Sequence, residues 1–80
     1  MNKVIEVKAK DNHILSIKMS NKKKGEFDVS PYLNKGIFKE LGNMTYFKQV
    51  KLSFGGVVWP HKQDFSADTI EIEMVERKIR

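Results

Sequence analysis

The sequence predicts a small α+β domain: an antiparallel β-meander followed by a β-hairpin, with one or two short helices. Three observations carry this. From Val4 to Val29, apolar and polar residues alternate in three short runs separated by turn formers, a period of two. From Phe47 to Pro60, two further apolar-rich runs flank Gly55-Gly56, a pair suited to a two-residue hairpin corner. Between these regions Pro31 breaks the alternation, and Ile37, Phe38 and Leu41 form one stripe at helical spacing.

Taken in order, Val4 to Lys10 reads as a strand with Ile5, Val7 and Ala9 on one face and Glu6, Lys8 and Lys10 on the other. Asp11-Asn12 is a turn pair, since both residues tolerate left-handed geometry. Leu15, Ile17 and Met19 then alternate with Ser16, Lys18 and Ser20 in a second strand. Ser20 to Gly25 turns the chain again, and Glu26 to Val29 is a third strand with Phe27 and Val29 inward. Three consecutive antiparallel strands make a meander, the simplest unknotted arrangement. Pro31 ends the third strand because it lacks a ladder donor, and Tyr32 and Leu33 fold back onto the sheet. Gly36 to Leu41 is a short helix closed by Gly42-Asn43 in left-handed geometry.

A Gly55-Gly56 corner sets Phe54 opposite Val57, Ser53 opposite Val58 and Leu52 opposite Trp59, with the apolar pairs on one face. Asp64 or Ser66 caps a helix starting at Ala67, with Asp68 in its first turn. Beyond that point two readings stay open. As a helix, Ile72, Val75 and Ile79 align; as a strand, Ile70, Ile72 and Met74 alternate with Glu71 and Glu73. The chain is read as one domain over residues 1–80, with 71–80 as an extended or partner-packed tail.

Eighty residues accommodate one small core, which hides only about 60% of the surface that the unfolded chain exposes. There is no cysteine, which excludes disulfides, thiolate zinc sites and a cysteine nucleophile. No apolar run approaches the ~20 residues of a membrane helix, and Met1 to Lys10 lacks a signal-peptide pattern. The expectation is a soluble cytoplasmic protein without membrane association. The net charge is +5, but of 15 cations only Arg77 and Arg80 are arginine. Arginine dominates bidentate phosphate and base contacts, whereas lysine is a common solubilising residue. The charge therefore reads first as solvated surface and second as nucleic-acid contact.

Few residues have the pattern of chemistry. His13 falls at a hairpin turn. His61, next to Trp59 and near Asp64, is the better functional candidate, yet no metal-binding spacing accompanies it and no cofactor is implied. Asp64 and Asp68 have the spacing of paired carboxylates, which helix-start capping explains equally well. Gly55-Gly56 lacks the sequence of a phosphate cradle. Lys22, Lys23 and Lys24 form the sharpest charge run, a candidate anion or nucleic-acid contact set against a solvated turn that protects a strand edge. Ile70, Ile72, Met74, Val75 and Ile79 are too apolar for a free end and are the candidates for self-association as a homodimer.

The run Gly25-Glu26-Phe27-Asp28-Val29-Ser30-Pro31-Tyr32-Leu33, then Gly36-Ile37-Phe38-Lys39-Glu40-Leu41, Phe47 through Trp59-Pro60, and Asp64-Phe65-Ser66-Ala67-Asp68-Thr69-Ile70, resembles a bacterial family called domain of unknown function 2442. The resemblance implies a small α+β domain whose signature elements are structural. Where that family follows Trp-Pro with Asn-Gly, this chain has His61-Lys62-Gln63. Some members are fused to helix-turn-helix domains and others neighbour a second small protein in arrangements like toxin–antitoxin pairs. The expectation is a non-enzymatic protein-interaction module, homodimeric or an accessory or antitoxin-like partner of another small protein. The alternative is a nucleic-acid-binding or transcription-regulatory accessory module using the basic surface.

Overall fold

In a computed structural model of the chain, residues 2–76 are described. The meander forms as its alternation requires. Strands β1 (Val4–Lys10), β2 (Ile14–Met19) and β3 (Lys24–Asp28) pair antiparallel in succession. Leu15, Ile17, Met19 and Phe27 are buried on one face, and the charged residues between them take the other. The first strand departs from strict alternation. Its register shifts between Val4 and Glu6, so Val4 enters the core and Ile5 is left 44% exposed. An extra residue on one strand of a pair re-aims the side chains around it in this way.

The turns follow local chemistry. Asn12 and His13 take φ of 66° and 60° between β1 and β2. The Asp28 carboxylate accepts the Ser30 N–H at 2.9 Å, and Pro31 lies in the 3-10 turn Ser30–Tyr32 that ends β3. Tyr32 and Leu33 pack against the core. The predicted helix is a 3-10 helix, Gly36–Gly42. At three residues per turn the expected stripe cannot stay on one face: Leu41 is buried, whereas Ile37 is 64% exposed. Asn43 does not close this helix in left-handed geometry. Its φ is −77°, and its Oδ1 accepts the Tyr46 N–H at 3.2 Å. It thereby caps α1 (Met44–Phe47), a helical turn that no periodicity in the sequence marks.

The second sheet has the order β4 (Lys51–Ser53), β5 (Gly56–Val58), β6 (Asp64–Phe65). Here the expected register is corrected. Ser53 faces Gly56, Leu52 faces Val57 and Lys51 faces Val58, because the corner residues are Phe54 (φ 48°) and Gly55 (φ 83°). Two successive positive φ angles give the primed turn that suits a twisted hairpin. The second glycine is used elsewhere: a Cβ on Gly56 would collide with the backbone carbonyl of Phe65 and lie 3.1 Å from the Ser66 Cα. Gly56 is a strand residue that lets β6 approach, so the corner moves back by one. Past Trp59-Pro60 the chain makes a tight turn. The Lys62 N–H donates to the Trp59 carbonyl and the Trp59 N–H to the Gln63 carbonyl, each at 2.9 Å, with Lys62 at φ 74°.

Ser66, and not Asp64, caps the last helix, its Oγ accepting the Thr69 N–H at 3.2 Å. Neither alignment of the tail holds as read: Ile70 and Ile72 are helical, and Val75 leaves the helical row for a strand. The helix α2 spans Ala67–Glu73, and Met74 then turns extended into β7 (Val75–Glu76). This strand pairs with β3, placing Glu26 opposite Val75 and Gly25 opposite Glu76. A Cβ on Gly25 would lie 2.5 Å from the Val75 carbonyl oxygen, so the glycine is what allows β7 to close the sheet order β1-β2-β3-β7.

The core lies between the buried face of this sheet and the second sheet with α2. Its centre is Phe65. The ring meets Phe27 edge-on at 4.9 Å, Tyr32 at 4.9 Å, Phe38 stacked at 5.1 Å and Trp59 edge-on at 5.9 Å. No helix among the described residues is long and apolar enough to cross a membrane.

Candidate functional site

The hairpin tip carries the most unusual side chain of the molecule. Phe54 is fully exposed and sits at positive φ, where a bulky residue is a conformational outlier. Asparagine or glycine is the ordinary choice at that corner. The Val4 N–H donates to the Gly55 carbonyl at 2.8 Å, so Ile5 and Phe54 flank a single hydrogen bond joining β1 to the tip. Leu52, 46% exposed, lies on the same arm. Phe54 divides two grooves: one of ≈340 Å³ toward Val58, Lys62 and Asp64, and one of ≈150 Å³ toward Asn2, Lys3 and Asp68. A Gly55-Gly56 corner sets Phe54 on the apolar face opposite Val57; the only signal against that is which glycine forms the corner.

The tail candidates separate. Ile70 and Met74 are buried within the fold, at 0% and 8% exposure, and so are corrected from self-association residues to core. Ile72 and Val75 stay exposed, at 82% and 76%. Ile79 lies outside the described residues.

The lysine run is likewise dispersed. Lys22 occupies the turn at φ 75°. Lys24 begins β3 and lines a groove on the outer face of the meander. Lys23 reaches Glu71 of α2 at 3.6 Å. That carboxylate also accepts from Asn2 at 3.2 Å and Asn21 at 3.1 Å, so it clamps the chain start and the β2–β3 turn to the last helix. No sequence signal marked Glu71, because its partners lie 50 and 69 residues away.

His61 finds a carboxylate, but not Asp64, which is exposed on β6. Its Nδ1 lies 2.8 Å from both oxygens of Glu40, and its ring stacks on Tyr46 at 5.3 Å. Gln63, 1% exposed, supports this pair from beneath. Its Nε2 donates to Glu40 Oε1 and to the Ile37 carbonyl, each at 3.0 Å, and its Oε1 accepts the Tyr46 hydroxyl at 2.6 Å. That hydroxyl accepts the His61 N–H at 2.9 Å. Hydrogen bonds from His61 first, and from Gln63 second, hold the Glu40 carboxyl below its usual range. An imidazole fixed by a carboxylate is the orienting half of an acid–base pair. Here its contacts also tie the Trp59–Gln63 turn to the 3-10 helix. Among the described residues, no group of three or more His, Asp or Glu side chains is placed to hold a metal ion. His13 is a further fold contact: its Nε2 lies 3.1 Å from the Gly42 carbonyl and its ring meets Phe47 edge-on.

No curated protein and no solved structure matches the chain. A family model does, across nearly all the elements described above. With residues 4–73 matched, the chain belongs to the family described as protein of unknown function (DUF2442).

Proposed function

We propose that the chain is a non-enzymatic protein-interaction module whose principal contact is Phe54 at the β4–β5 tip. The observation that carries this reading is the mismatch between residue and position. Left-handed backbone costs a bulky residue about 1–2 kcal/mol, and full exposure of the ring returns nothing to the fold. An aromatic side chain presented in this way supplies rigid contact area at little entropic cost when a partner covers it. Ile72 and Val75, both exposed, are the residues assigned to self-association with another copy of the chain.

The test is Phe54→Asn. Because asparagine suits the corner, the variant is expected to be more stable than the parent by about 1 kcal/mol. It is also expected to weaken partner binding by about 2 kcal/mol, roughly 30-fold. Tagged parent and variant proteins are used to capture binders from host lysate, with nuclease present. A protein retained by the parent and lost by the better-folded variant supports the reading. Equal capture by both sinks it, and loss of all bound protein on nuclease treatment would instead favour nucleic acid. For self-association, sedimentation at micromolar concentration is expected to give the dimer mass, reduced to the monomer by Ile72→Ser with Val75→Ser. A monomer mass for the parent removes that part.

A further inference from the structure

The outer face of the meander carries a charge arrangement that the fold does not use. Register sets its rows: Glu6, Lys18 and Lys24 in the first; Lys8, Ser16, Glu26 and Val75 in the second; Lys10, Ile14 and Asp28 in the third. Lys18 stands directly opposite Lys24, and like charges at such cross-strand positions repel. The acids of this face do not relieve them equally. Glu26 is 2.7 Å from Lys10 and Glu6 is 3.6 Å from Lys18, whereas Lys8 and Lys24 form no ion pair among the described residues. At the centre Ser16 is the short side chain, and around it opens a groove of ≈280 Å³ lined by Lys8, Lys18, Lys24 and Glu6.

We propose that this groove is a docking site for an acidic segment of a protein partner, with a carboxylate seated over the Ser16 hydroxyl among Lys8, Lys18 and Lys24. Charge complementarity selects the occupant. Three lysines against the single acid Glu6, which only Lys18 engages, leave the groove with an excess of positive charge beside a hydroxyl donor, and that calls for an anion. The proposal takes its class of occupant from the protein-interaction reading, but the groove shares no lining residue with Phe54.

Titration of the isotope-labelled full chain with hexaglutamate, followed by amide chemical shifts at low salt, tests it. Saturable shifts are expected at Lys8, Ser16, Lys18 and Lys24, with affinity falling at least about tenfold in Lys24→Glu. That variant places an acid opposite Lys18 and is expected to keep a thermal midpoint no lower than the parent, so lost binding cannot be read as lost folding. Phe54→Asn is expected to bind the peptide unchanged, which keeps failure at the tip distinct from failure here. The proposal is overturned by shifts that do not saturate, by equal binding in Lys24→Glu, by inorganic phosphate saturating the same residues more tightly, or by an oligothymidylate that outcompetes the peptide.

Discussion

Phe65→Ala is expected to destabilise the protein by about 4 kcal/mol, the upper range for removing a buried phenylalanine. A domain of 80 residues has about 4–12 kcal/mol in total, so this variant approaches the limit of folding. The reason lies in the number of elements that one ring connects. Phe27 comes from β3, Tyr32 and Phe38 from the segment after it, and Trp59 from the end of β5, all with centroids within 6 Å of Phe65. Truncation opens a cavity that four rings border, and those rings are held by separate backbones that cannot all relax inward. Phe65→Leu keeps most of the apolar volume and loses chiefly the ring geometry, so about 1–2 kcal/mol is expected. Urea unfolding followed by fluorescence of Trp59, the single tryptophan, reads both. A cost below 1 kcal/mol for the alanine variant would show that Phe65 does not join the two sheets energetically.

Gln63→Leu is expected to cost about 3 kcal/mol, although leucine has a similar shape and enlarges the apolar core. The glutamine amide is 1% exposed, and its loss strands the Tyr46 hydroxyl and the Ile37 carbonyl, which it satisfies at 2.6 and 3.0 Å. Leaving a buried polar group without its partner costs more than the bond itself was worth. The same substitution moves Glu40. A carboxyl whose folded pKa is depressed adds stability above its unfolded pKa, and loses it as pH falls through the folded value. Removing the Gln63 bond is expected to move the Glu40 titration up toward the ordinary glutamate range, and His61→Ala to move it further, since His61 is the larger cause. Carboxyl-carbon NMR of Glu40 orders the two variants. A Glu40 titration unchanged in both would place the origin of the depression elsewhere.

The meander was legible because its alternation is local: Leu15, Ile17, Met19, Phe27 and Val29 all enter the core as their spacing requires. The hairpin was legible in kind and misplaced in register, since Gly55 and Gly56 are indistinguishable until Phe65 is known to press on one of them. The tail resisted for a related reason. Ile70 and Met74 reach the core from α2 and the residue after it, while Val75 depends on the strand edge that Gly25 leaves open. The proposed contact surfaces were the least legible. Phe54 looks like core until its backbone angle is seen, Lys24 gains its neighbours Lys8 and Lys18 only through strand register, and Glu40 meets His61 across 21 residues.

The pairing of β7 with β3 has a consequence for the order in which the protein is made. Strands β1 to β3 need only short loops to close, so a nascent chain can assemble them early. The edge of β3 is finished by Val75 and Glu76, about fifty positions later. Until that pairing forms, the backbone of Gly25 and Glu26 is an unpaired strand edge, open to a strand of a neighbouring chain instead of to its own.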